Sequence, residues 1–245
     1  MNLKITDKNE LVNKFLNVIG RVTEDSIITI SNGKLSSLNN TPDGTLIQYA
    51  TYKYGEDESM HRVLNIPDIQ RLTKVISCIE DNEIELLLNA NNISYSSNTV
   101  RFKYYLLEDG ILSTPAISVD KIKDIKYDMS FVLPFSSLTN LLKGNTFASE
   151  TDKLYLYTDE DGAVYGELTD RARHNVDSFT LKLSDGDGKG SIPNPIPINF
   201  ENIRIISGTK CDFINVHVNT QLSVVTFDLS VDGNKILYVV SALVA

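Results

Sequence analysis

Val63-Leu64-Asn65-Ile66-Pro67-Asp68-Ile69-Gln70-Arg71-Leu72 runs from an extended apolar segment into a proline and then into a helical pattern. Phe131-Val132-Leu133-Pro134-Phe135-Ser136-Ser137-Leu138 does the same. Proline suits a first helical turn, because the amide it lacks has no partner there. Two further helix-like stretches begin near Thr6 and Ile198. Together the four recur at a spacing of about 60 to 70 residues, each followed by a run of alternating strands. One short helix beside each small sheet, four times over, describes a pseudo-symmetric object and not an enzyme cleft.

Each helical segment carries its own signals. Asp7 is placed to cap the first, with Glu10 at capping-box spacing. Leu11, Phe15, Val18 and Ile19 make its apolar stripe, widened by Val12 and Leu16, and Gly20 is its expected stop. The second is expected from Pro67 to about Ile79, with Gln70, Arg71 and Lys74 outward. The third is expected from Pro134 to Lys143 with Gly144 as terminator, and the fourth from Asn199 to Ser207. Strands fill most of the rest. Asn32-Gly33, Asp161-Gly162 and Asp232-Gly233 are tight-turn dipeptides between alternating segments. Residues 110–128 have no clean period and divide the chain almost in half. The expected organisation is α+β: a domain at 1–112, a connector at 113–128 and a second domain at 129–245.

Composition narrows the class. The chain's 245 residues suffice for two medium domains with sizeable cores. No apolar run approaches the ~20 residues that cross a bilayer, and Met1–Asp7 does not read as a signal peptide. Cys78 and Cys211 are widely separated, which fits a reducing cytoplasm, and Cys78 is expected in the core. Net charge is −9. Segments 7–21, 68–80, 136–147 and 199–210 carry +1, 0, +1 and +1, leaving −12 on the remainder. Weakly basic helices within an acidic protein can hold a polyanion against the helices and repel it elsewhere.

Familiar catalytic and ligand motifs are missing. Asp185-Gly186-Asp187-Gly188-Lys189-Gly190-Ser191 lacks the spacing of a P-loop and the carboxylates of an EF-hand, and reads as a turn. His61, His174 and His217 are isolated, without zinc-type spacing to either cysteine, and His217 is expected to face solvent. No catalytic residue, metal or cofactor is expected.

Four helix-plus-strand units, two per half, joined by a central connector, resemble the DNA sliding clamps. These include proliferating cell nuclear antigen and the clamp of T-even-type bacteriophages. The phage type is nearest in its short loops and in the Phe131–Phe135 region, and the C-terminus, Val239 to Ala245, lacks an acidic tail. The resemblance implies a clamp fold whose copies close as a homotrimeric ring around duplex DNA. The ring would tether a replicative DNA polymerase, be loaded by a clamp-loader ATPase complex, and work in the cytoplasm of a bacterial host. It implies pairing between edge strands near Val100–Leu106 and Ser178–Leu183. It also implies DNA-facing cations at Lys8, Lys14, Arg21, Arg71, Lys74, Lys143, Arg204 and Lys210. A partner-peptide pocket is expected at Ile117, Val119, Ile122, Val240 and Leu243. The rival, a β-rich phage tail or baseplate component, has no need of four matched helices with outward cations.

Overall fold

The computed structural model describes residues 1–55, 61–185, 190–230 and 233–243. They divide into two units. Unit 1 holds Met1–Pro42, Gln48–Ser118 and Ser230–Ile236; unit 2 holds Asp43–Ile47, Val119–Leu229 and Leu237–Ala245.

Unit 1 opens with β1 (Asn2–Ile5), then α1 (Lys8–Leu11), a π-helical turn (Val12–Leu16) and α2 (Asn17–Ile19), which run on as one helix. β2 (Ser26–Ser31), β3 (Lys34–Asn40), β4 (Leu46–Lys53) and β5 (Arg62–Ile66) follow, then α3 (Ile69–Ser77), β6 (Ile84–Leu88), β7 (Asn92–Ser96) and β8 (Arg101–Tyr105). The strands form sheets in the orders β1-β6-β7-β8 and β5-β2-β3-β4. Asn32 and Gly33 both take positive φ, 51° and 69°, as a two-residue type I′ hairpin turn requires. They join β2 to β3 with Ser31 opposite Lys34. Beyond β3, β4 is covered by the unit's own 234–235 segment: the Thr51 amide donates to the Lys235 carbonyl (2.7 Å) and the Lys53 amide to Asn234 Oδ1 (2.9 Å).

Both sheets and the helices of unit 1 share one core, in which Phe15, Ile19, Ile30, Ile66 and Ile69 are fully enclosed. Each such side chain contributes roughly 1.5–3 kcal/mol. The π turn answers the broad apolar stripe of the first helix. Leu11 and Val12, Phe15 and Leu16, Val18 and Ile19 are all buried, more adjacent pairs than a regular 3.6-residue period holds on one face. Asp7 caps that helix as expected, accepting from the Glu10 amide at 2.8 Å, but the Glu10 carboxylate turns to Lys14 at 2.5 Å. In α3 the cap is Asp68, whose Oδ1 accepts from the Arg71 amide at 2.7 Å. Pro67 therefore precedes the helix instead of lying in its first turn. The helix ends one residue before Cys78, which is exposed, contrary to its expected place in the core; its Sγ donates to the Lys74 carbonyl.

Unit 2 begins with α4 (Val119–Lys123), a short helix inside the connector that the sequence pattern did not reveal. Then come β9 (Met129–Pro134), α5 (Phe135–Phe147), β10 (Lys153–Thr158), β11 (Val164–Leu168), β12 (Phe179–Ser184) and β13 (Ile196–Asn199). α6 (Phe200–Ser207), β14 (Phe213–Asn219), β15 (Val224–Asp228) and β16 (Ile236–Ser241) complete it. The sheet orders are β12-β11-β10-β13 and β16-β15-β14-β9, and the Ser241 amide donates to Thr45 of the unit's own 43–47 segment. Pro134 is the N-cap of α5. Gly144 does not end this helix but lies within it, where a Cβ would overlap the Phe179 ring. The glycine's missing side chain is filled by its neighbour, so packing overrides the usual stop signal. Asn199 caps α6, accepting from the Glu201 amide at 2.9 Å.

His217 does not simply face solvent: its ring stacks on Tyr127 and its Nδ1 pairs with Ser130 Oγ at 2.7 Å. Of the sequence readings, Gly186–Lys189 of the glycine-rich loop, Val231 and Asp232 of the last hairpin, and Val244 and Ala245 lie outside the described residues. Among the described residues no helix is long and apolar enough to cross a membrane, and no three His, Cys, Asp or Glu side chains gather as a metal ion would need.

Candidate nucleic-acid interface

The first helix and α3 of unit 1 approach closely at Gly20. A Cβ there would lie 3.2 Å from Ile69 Cγ2 and 3.3 Å from the Leu16 carbonyl. Gln70 Nε2 reaches the Gly20 carbonyl across the gap at 3.4 Å. The two helices leave a crevice of about 210 Å³ whose polar lining is Asn17, Arg21, Gln70, Thr73 and Lys74, without a carboxylate. It shares Gly20, Arg21, Gln70 and Lys74 with a wider groove of about 730 Å³ that adds Arg71 and the carboxylates Glu24, Asp25 and Asp68. Arg21, Arg71 and Lys74 are exposed and form no ion pair among the described residues. Asp68 is engaged as the helix cap. Free guanidinium and ammonium groups beside neutral amides make a surface suited to phosphate oxygens.

Unit 2 has a groove of about 530 Å³ between the end of α5 and the start of α6, lined by Lys153, Arg173 and Arg204. Here each cation has an acidic partner. Lys153 pairs with Asp170 at 3.2 Å, Arg173 with Glu150 at 3.6 Å and Arg204 with Glu201 at 3.1 Å. Arg204 is further fixed by Asn145 Oδ1 at 2.6 Å and lies over the Phe200 ring. The Ala172 amide and then Lys153 hold the Asp170 carboxyl below its ordinary range, while Asp170 raises Lys153.

The expected DNA-facing cations thus separate. Arg21, Arg71 and Lys74 meet in one groove. Lys143 and Lys210 are exposed in unit 2, away from the groove lining. Lys14 and Arg204 are exposed or half-exposed but ion-paired. Lys8 is a correction: it is only 6% exposed, and its Nζ donates to the Ile79 carbonyl beyond the end of α3. A cation at a helix C-terminus satisfies carbonyls that lack a helical partner, so this lysine serves the packing of the two helices.

The five residues read as a partner pocket also divide. Ile122 and Val240 are sealed in the interior, at 2% and 0% exposure, and offer a partner no surface. Ile117, Val119 and Leu243 are half-buried, and the Leu243 amide is held by the Pro197 carbonyl at 2.7 Å. Gln70, Asn17, Lys153 and Arg173 line the grooves yet were not among the expected site residues. The positions of Gln70 and Asn17 off the apolar stripes of their helices were the sequence signals for these two.

Strand edges form a second candidate surface. Among the described residues, β1, β5 and β8 in unit 1 and β9, β12 and β13 in unit 2 have a strand partner on one side only. Four of these six bury their core-facing rows completely: Leu3 and Ile5, Leu64 and Ile66, Phe131 and Leu133, Ile196 and Ile198. β8 and β12 do not. Phe102 with the adjacent Leu106, and Phe179 with Leu181, remain half-exposed.

The chain has the fold of the DNA sliding clamps. It superposes on A. fulgidus PCNA, solved with the C-terminal region of FEN-1 bound, with a TM-score of 0.75 at 14% identity, covering 100% of this chain and 98% of that one. PCNA from Entamoeba histolytica gives 0.72 at 10% identity, covering 99% and 98%. The DNA polymerase sliding clamp of Bacillus subtilis gives 0.78 at 10% identity; this chain, wholly covered, spans 64% of that longer one. No protein-family profile matches the sequence, and no curated protein matches it.

Proposed function

We propose that the protein is a sliding clamp: three copies close head to tail into a ring around duplex DNA and tether a replicative DNA polymerase. The observation that carries this reading is a pair of unfinished edges, β8 and β12, on a chain with the clamp fold from end to end. One edge lies in each unit, so joining β8 of one copy to β12 of the next is a heterologous contact, which closes if its rotation returns to the start. Edge-to-edge addition pairs the free backbone groups and covers both half-exposed rows.

A ring stays on DNA by topology, so its phosphate contacts need only be weak and sequence-independent, and weak contacts permit sliding. Arg21, Arg71 and Lys74 are suited to that task. The protein catalyses nothing in this role. It raises the effective concentration of polymerase at the template, and a clamp-loader ATPase complex opens and closes it.

The test has two parts. Sedimentation equilibrium should give three times the 27.3 kDa chain mass. After loading, the protein should remain on circular DNA and run off linear DNA with free ends. Retention that ignores circularity contradicts encirclement.

A further inference from the structure

Phe147 is the last residue of α5 and is 60% exposed. It lies one helical turn beyond Gly144, and residues three apart share a helix face. Gly144 is the point where the Phe179 ring of β12 packs against α5. The exposed Phe147 ring therefore extends the half-exposed row of Phe179 and Leu181 from the sheet edge onto the helix end. With that row it makes a contiguous apolar patch at an unpaired strand, the kind of surface that marks an interaction site.

We infer that Phe147 is the anchor of the contact between copies of this chain, inserting beside β8 of the neighbouring copy; this rests on the ring reading above. The receiving edge has a matching apolar lining. Val100, Phe102 and Leu106 are partly covered there, with Tyr95 stacked on Phe102 at 6.0 Å and Val75 of α3 partly buried in the same core. Charge agrees with this pairing. β8 presents exposed Arg101 and Lys103, while exposed Asp177 lies just before β12. The one cation on the outer row of β12, Lys182, is paired with Asp185 at 2.5 Å. Two β8 edges brought together would instead set Arg101 and Lys103 against their own copies.

Sedimentation equilibrium on the full chain tests the assignment, with folding checked by circular dichroism. Phe147→Ala should raise the concentration at which half the protein is assembled by about tenfold or more. Phe213→Ala, at an equally exposed phenylalanine on β14, should leave assembly unchanged. A Phe102→Ser chain should likewise assemble more weakly on its own. Mixed with Phe147→Ala, it should give dimers, because the mixture holds one intact pair of edges. A wild-type trimer that Phe147→Ala does not weaken, or that Phe213→Ala weakens as much, overturns the anchor and leaves the ring standing. A wild-type chain that remains monomeric removes the ring reading and the anchor with it.

Discussion

In unit 1, Arg21, Arg71 and Lys74 stand at the surface outside any ion pair among the described residues, in a groove that Glu24, Asp25 and Asp68 also line. In unit 2, the groove between the corresponding pair of helices holds three cations as well, but Asp170, Glu150 and Glu201 each occupy one of them. The repeat has duplicated the scaffold without duplicating the charge. Exposed ion pairs contribute only about 0–1 kcal/mol to stability, so the unit 2 pairs do little to hold the fold. Their larger consequence is that a phosphate entering that groove must displace a carboxylate, whereas in unit 1 it meets unpaired donors. Phosphate contact in the proposed ring should therefore come mainly from one unit of each chain.

The strongest way to break this contrast is to remove the cations unit by unit. Arg21→Ala, Arg71→Ala and Lys74→Ala together should weaken binding of a short duplex at low salt. The triple change should also flatten the salt dependence, by about 0.9 in slope for each phosphate that is no longer neutralised. Lys143→Ala with Lys210→Ala should change the slope less. Equal losses from the two sets would mean that the units contribute alike. Glu201→Gln with Glu150→Gln sharpens the comparison in the opposite direction: freeing Arg204 and Arg173 should increase duplex binding, and unchanged binding would show that ion pairing is not what silences unit 2.

Helix packing separates the units at a second level. Gly144→Ala forces a methyl group into the Phe179 ring, and overpacking of this kind costs about 1–3 kcal/mol. Gly20→Ala meets neighbours at 3.2–3.6 Å with φ at −64°, where a small shift and better helix propensity largely offset each other, so a change within about 0.5 kcal/mol is expected. Urea denaturation of the two variants decides; a Gly144→Ala chain as stable as wild type would mean the α5–β12 contact is loose.

The same contrasts show what could be read from residues alone. Helix positions, turn dipeptides and the two-fold repetition were legible because they are local: Asp7, Asn199 and Asn32-Gly33 act on groups a few residues away. The sites where reading failed are set by distant neighbours. Gly144 looked like a stop because Phe179 is thirty-five residues downstream. Lys8 looked like a surface cation because its acceptor, the Ile79 carbonyl, lies in another helix-end segment. Val240 and Ile122 are apolar, a property that a core and a pocket share, and only burial tells the two apart. The groove cations Lys153 and Arg173 sit outside the helices, so counting charge along helices could not find them.

A pH-dependent difference concerns the tyrosines buried beside these helices. Tyr52 in unit 1 donates its hydroxyl to the Asp7 carbonyl at 3.0 Å, at the start of the first helix. Tyr238 in unit 2 shares a 3.0 Å hydrogen bond with Thr209, just past the end of α6. Burial first, and then the nearby carboxylates of Glu10 and Asp7, push the Tyr52 hydroxyl from 10.0 up to about 12. A raised value means that the folded protein holds this proton after the unfolded chain has released it. The contribution of Tyr52 to stability is therefore complete below pH 10.0 and is lost as pH rises toward about 12. Tyr52→Phe should cost about 1 kcal/mol at neutral pH through removal of one hydrogen bond, and should flatten the decline of stability across that alkaline window. Denaturant melts at a series of pH values would show it. A decline as steep in the variant as in the wild type would place the alkaline sensitivity elsewhere and remove Tyr52 from the set of groups that secure the first helix of unit 1.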